Sequence, residues 1–139
     1  MLLTFAVLSC TTGPPNMASD PAAKTTAESF VRAWLSDDWE DAFTYVAESG
    51  PNRESLSADH EFFQTHDFRV VGPAWFAKRI DTIGVPGYVV PLTGFQQVPS
   101  AGENGIRLTW LLEIALEAND DAWAVTGYVY TAGPPVDTD

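Results

Sequence analysis

A chain of 139 residues with five tryptophans and 45% apolar side chains has the size of one domain and the means to build one core. Its 7 Lys and Arg stand against 19 Asp and Glu, a formal net charge of -12, which repels phosphate backbones and excludes nucleic acid as a partner. The same acidity disfavours docking on an anionic bilayer, so any membrane attachment has to come from something other than a basic patch.

The chain opens on the apolar run Leu2 to Leu8, too short for the ~20 residues that span a bilayer but comparable to part of a signal-peptide core. Residues 1–9 are therefore read as a signal-peptide-like segment. Val7-Leu8-Ser9-Cys10 resembles the bacterial lipobox, in which the cysteine is acylated and becomes the new N-terminus. The alternative is an ordinary buried cysteine in an N-terminal strand. Several acyl chains on one cysteine would hold firmly, at ~0.8 kcal/mol per buried methylene, without help from an acidic surface. Cys10 is the only cysteine, so the domain forms no intramolecular disulfide and rests on its core. The Gly, Pro, Asn and Ser residues of 10–19 read as a flexible tether, and the domain is expected at 20–133, with 134–139 a disordered tail.

Asp20 before Pro21 is an N-cap signal, and Ala23, Ala27, Phe30, Val31, Trp34 and Leu35 recur at helical spacing. A second helix is predicted in "SDDWEDAFTYVAESGP", where Asp37 and Glu40 form a capping box and Trp39, Ala42, Phe43, Val46 and Ala47 make the buried stripe. A third, shorter helix is expected in "SADHEFFQTHD", with Phe62 and Phe63 inward. From Asp67 onward the pattern is that of strands, with Pro73 and Pro91 marking edges or breaks because they remove ladder donors. Pairing Glu117 with Ala122 across a four-residue loop sets Ile114 opposite Val125, Leu112 opposite Gly127 and Trp110 opposite Val129. That register puts the apolar residues of both segments on one side. The expected fold is α+β, with N-terminal helices packed on a curved antiparallel sheet of about four strands.

Two stretches carry a resemblance. "TAESFVRAWLSDDWEDAFTYVA" looks like the opening helices, and "DDAWAVTGYVY" like the closing strand, of the nuclear-transport-factor-two-like superfamily, which shares a cone-shaped, cystatin-like fold with ketosteroid isomerase. The resemblance implies a pocket between sheet and helices, lined here by Trp34, Phe43, Trp110, Leu112, Gly127 and Val129. It also agrees with an exported lipoprotein of the bacterial cell envelope, held extracytoplasmically through acylated Cys10.

Catalysis on such a fold needs ionisable groups inside the cone. His66, Asp67 and Arg69 supply suitable types, but a solvated helix end entering a strand explains them as well, and better. His60 and His66 are six apart, which puts them on separated faces of a helix, so no metal is expected, and no cofactor. On the hairpin's outer face, Leu111, Tyr128 and Tyr130 are expected to form a partner or homodimer surface. Three function classes follow: a non-enzymatic domain binding a partner protein or small apolar ligand; an isomerase, dehydratase or hydrolase; and a passive spacer.

Overall fold

The computed structural model describes residues 16–78, 85–96, 105–119 and 122–136. Cys10 and residues 1–15 lie outside the described residues, as do Asp120 and Asp121 of the hairpin turn. Helices α1 (Pro21–Trp34) and α2 (Arg53–Thr65) flank a 3-10 helix at Trp39–Tyr45. Five strands follow: β1 (Arg69–Val70), β2 (Trp75–Ala77), β3 (Gly87–Gln96), β4 (Ile106–Asn119) and β5 (Ala122–Pro135). All pair antiparallel in one open sheet of order β1-β3-β4-β5, with β2 also on β3, and the helices cover one face. The class is α+β.

The first helix forms as its sequence dictates. Asp20 accepts from Ala22 N at 2.9 Å, Pro21 opens the first turn, and Ala23, Ala27, Phe30, Val31 and Trp34 are all 0% exposed. The second expected helix is corrected. Trp39–Tyr45 winds as a 3-10 helix, and its cap position, Asp38, makes no side-chain capping bond. At three residues per turn the inward positions become Trp39, Ala42 and Tyr45, so Phe43, placed inward by an α-helical count, turns to solvent at 39% exposure. Helix α2 starts earlier than expected, at Arg53, because Asn52 caps Ser55 N at 2.8 Å.

Both ends of the expected domain move outward. Asn16 to Ser19, read as tether, is seated on the domain: Asn16 caps a 3-10 turn, Met17 is buried, and Tyr88 Oη donates to Met17 O at 3.0 Å. The tail is also ordered further than expected, since Pro134 O accepts from Thr109 and Val136 N donates to Arg107 O.

β1 and β2 are two halves of one edge, pairing in turn with Thr93-Leu92 and with Val89–Gly87 of β3. Gly72-Pro73 breaks them apart opposite Pro91, and Val71 N bonds Pro91 O at 3.0 Å while the Glu28 carboxylate of α1 takes Ala74 N at 3.0 Å.

The hairpin register differs from the expected one. β4 and β5 are joined through Asn119 opposite Ala122, so Leu116, not Ile114, faces Val125. A shift of two leaves sidedness unchanged, and Trp123 and Val125 point inward as expected. At Thr126, however, a bulge adds one residue to β5, and the inward set switches parity. Tyr128 and Tyr130 turn in opposite Ile114 and Leu112, while Gly127 and Val129 turn out opposite Ala115 and Glu113. The inner face is thus Tyr88, Val90, Leu92, Trp110, Leu112, Ile114, Leu116 and Val125, sealed by Phe30, Trp34, Leu56 and Phe63.

Gly94 belongs to this packing. A Cβ there would lie 2.4 Å from the Phe68 ring, which rests on the bare backbone beside Trp110. Gly94→Ala is expected to displace Phe68 and lower stability by about 1–3 kcal/mol, as overpacking does. Urea unfolding followed by tryptophan fluorescence checks this, and an unchanged midpoint would contradict it.

Candidate functional site

Trp34, Trp110 and Leu112, expected to line a pocket, are core residues instead. They are 0%, 7% and 0% exposed. Trp34 touches Phe30, Phe63 and Tyr128 at ring separations of 5.1, 4.8 and 4.6 Å, and Trp110 touches Phe68 at 5.0 Å. The other expected members are elsewhere: Phe43 lies outside under the Arg53 guanidinium, 5.6 Å from its ring, and Gly127 and Val129 are on the far face. The place reserved for a ligand is filled with aromatic rings.

One polar group penetrates this aromatic layer. Asp59 occupies the inward stripe of α2 between Leu56 and Phe63, and both of its oxygens are taken by phenols of β5. Tyr130 Oη donates to Oδ1 at 2.8 Å and Tyr128 Oη to Oδ2. This overturns the expected partner surface of Leu111, Tyr128 and Tyr130: the Thr126 bulge turns both tyrosines inward, and only Leu111 stays outside, at 38% exposure. Both phenols are pushed well above the ordinary tyrosine range, first by burial and then by the hydrogen bond to Asp59. They stay protonated donors at neutral pH, and the carboxylate has an acceptor bond on each oxygen. The trio is built to hold α2 on β5.

Sequence reasoning missed Asp59. A carboxylate at an inward position of an amphipathic helix was the available signal, but its partners depend on the bulge.

His66, Asp67 and Arg69 are close in space but do not form a catalytic set. His66 Nδ1 lies 2.8 Å from Phe62 O and its ring packs on Phe62 at 4.1 Å. Asp67, the only described non-glycine residue with positive φ (52°), turns the chain from α2 into β1. Its carboxylate accepts from Arg107 Nη2 at 2.6 Å and from Arg69 Nε at 3.3 Å, and Arg107 also reaches Thr93 and lies over Phe95 at 4.3 Å. Those bonds, Arg107 first and Arg69 next, hold the Asp67 carboxyl below the usual carboxylate range. Arg107, absent from the expected set, is the main partner. Among the described residues no group of three or more His, Cys, Asp or Glu converges on a point that would hold a metal ion.

The surface holds a further candidate. A cleft of about 400 Å³ between α1 and the broken edge is bordered by Glu28, Arg32, Val70, Val71, Gly72 and Pro73, with Val90 also lining it. Val70 and Val71 there are 43% and 56% exposed, and Trp75, opposite Val89 on the sheet face away from α1, is 46% exposed. No described helix is long and apolar enough to cross a membrane.

Comparison of the chain with models of protein families, with curated proteins and with solved structures found no match.

Two pH limbs are expected. Tyr128 and Tyr130 have raised folded-state pKa values, so their contribution is complete below the unfolded value of ~10 and is lost as pH rises beyond it. Asp67 has a lowered one, so its contribution is present above ~4 and is lost as pH falls through the folded value. Melting temperature measured against pH should fall at both ends, with Asp67→Asn making the acid limb shallower while Asp20 keeps its share of it, and Tyr128→Phe with Tyr130→Phe making the alkaline limb shallower while Tyr88 keeps its share. Removing the shared carboxylate as Asp59→Ala should cost about 1–3 kcal/mol by leaving the phenols unpaired. A loss no larger with both tyrosines present than with both replaced by Phe would contradict the coupling.

Proposed function

We propose that this chain is an exported, lipid-anchored, non-enzymatic domain that binds a partner protein at the bacterial cell envelope, attached through acylated Cys10. The observation that carries the reading is the filled interior: Trp34, Phe63 and Leu112 occupy the space between helices and sheet at 0–1% exposure. A domain whose interior polar groups are spent on one another has its surface left to act with. Trp34 Nε1 donates to Leu56 O at 2.9 Å, and the phenols are committed to Asp59.

That surface is acidic where the 3-10 helix meets β5. Asp37, Asp38, Glu40, Asp41 and Glu48 are all exposed there, and the segment is pinned to the sheet by Ala47 N donating to Val125 O at 2.8 Å. A basic partner protein fits this end, because charge complementarity raises the encounter rate and repels wrong partners. The reading extends to kinship with the nuclear-transport-factor-two-like superfamily as a helix-capped cone. Helices on one face of an antiparallel sheet support it, as do the two register shifts that bend β5 against β4.

Labelled fatty acid supplied to producing cells should enter the wild-type protein and not Cys10→Ala, which should also leave the membrane fraction. Carbodiimide cross-linking of intact cells should trap a basic protein on the wild type and lose it with Asp37→Lys and Asp41→Lys combined. Equal labelling of wild type and Cys10→Ala would remove the anchor, and a cross-link unchanged by the charge reversals would remove the acidic docking end.

A further inference from the structure

The two edges of the sheet are finished differently. The β1–β2 edge is blunted, since Gly72-Pro73 interrupts it and the Glu28 carboxylate takes Ala74 N. β5 is the opposite edge, and its 14 residues, Ala122–Pro135, include no charged side chain. Edge strands of that length usually carry charges or a covering segment, because an open row of N–H and C=O groups pairs with other extended chains.

The register shows which of these groups are open. Val71 N donates to Pro91 O, so Pro91 faces away from β4, and Leu111 opposite it directs its N–H and C=O to β5. By the same alternation Leu111, Glu113 and Ala115 bond Thr131, Val129 and Gly127. Tyr128, Tyr130 and Ala132 lie between these pairs, and their backbone N–H and C=O groups point out of the sheet edge. The chain's own cover on that side ends at Val125, whose carbonyl accepts from Ala47 N at 2.8 Å and would lie 2.5 Å from a Cβ on Gly50. Beyond Val125, no described backbone group bonds β5 from outside, and Pro134 and Pro135, lacking N–H groups, close the open stretch.

The end of this stretch beside the Ala47 turn is acidic. Glu48 is exposed and shares a hollow with Glu117, while Asp37, Asp38 and Asp41 are exposed in the segment leading to the turn. None of these carboxylates is ion-paired among the described residues. A second copy would bring another charge of -12 to the contact, which like-charge repulsion opposes, whereas a cationic segment is attracted.

We propose that the Tyr128–Ala132 edge of β5 receives an extended segment of a basic partner protein as an added strand, its main chain bonded to Tyr128, Tyr130 and Ala132 and its Lys or Arg placed toward Glu48 and Glu117. In strand addition the backbone bonds supply affinity, and the flanking charge selects the partner. This rests on the partner-binding reading above and names its binding mode.

The test uses the full chain and, as probe, an eight-residue alternating Val-Thr peptide ending in two lysines, beside the same peptide ending in two glutamates. Amide exchange followed by NMR should be fast at Tyr128, Tyr130 and Ala132 in the free chain and slow at Gly127, Val129 and Thr131. The lysine peptide should slow the first three about tenfold or more, and Glu48→Lys should reduce its advantage over the glutamate peptide. Ala132→Pro should weaken the lysine peptide about tenfold with a nearly unchanged melting temperature, because the lost N–H faces outward, whereas Thr131→Pro removes a donor to β4 and should lower it. The inference is overturned by protection of the three amides in the free monomer, or by protection that grows with protein concentration as a dimer forms. Equal slowing by the two peptides, no slowing at millimolar peptide, or unchanged binding by Ala132→Pro overturns it too. A cellular cross-link to a basic protein that survives Ala132→Pro would overturn the binding mode and leave the partner reading. Absence of any cross-link would remove that reading and leave the peptide result standing, so the two fail separately.

Discussion

Trp34 is the point on which the assembly of this domain turns. It ends α1, is 0% exposed, and is the residue where α1, α2 and β5 meet: its ring contacts Phe63 and Tyr128, and its indole N–H donates to Leu56 O. Its own carbonyl accepts from His60 Nδ1 at 2.7 Å, which requires the proton of that imidazole to sit on Nδ1. An indole this deeply buried contributes several kcal/mol through packing, and its N–H would cost free energy if left unpaired. α2 is consequently held by both kinds of force. Leu56 and Phe63 supply apolar burial, while Asp59 ties α2 to β5 and His60 and Gln64, the last donating to Leu35 O at 2.9 Å, tie it to the end of α1.

That constraint decides what the interior can do. An interior able to run proton chemistry needs a shifted acid or base beside free space, whereas here the space is taken by rings and the inward carboxylate on α2 is bridged to two phenols. The raised tyrosine pKa values belong to a clamp, because the two donors and their acceptor satisfy each other. Function on this reading moves to the surface, where Asp37, Asp38, Asp41 and Glu48 are exposed.

Much of the architecture was legible in the sequence. The capped first helix, the inward side of β4, the proline-marked break in the first edge and the α+β class all follow from short-range patterns. The 3-10 segment was not, since Trp39, Ala42, Phe43, Val46 and Ala47 satisfy an α-helical spacing as well as Trp39, Ala42 and Tyr45 satisfy a period of three. The candidate site fared worse. His66, Asp67 and Arg69 were placed near one another correctly as neighbours in sequence, but Arg107, the strongest partner of Asp67, comes from 40 residues away.

By itself, then, the sequence determined which residues are apolar, where helices cap and break, and that β4 hides its even-numbered side. These depend on local backbone preference and periodicity. Only the tertiary structure decided which way Tyr128 and Tyr130 point. One extra residue at Thr126 reverses the side chains from Gly127 to Ala132, up to the second register shift, and such a bulge is selected by what the opposing layer can accept, here Asp59, Phe63 and Trp34. No local pattern carries that information, because the free energy that settles it arises between segments about 70 residues apart.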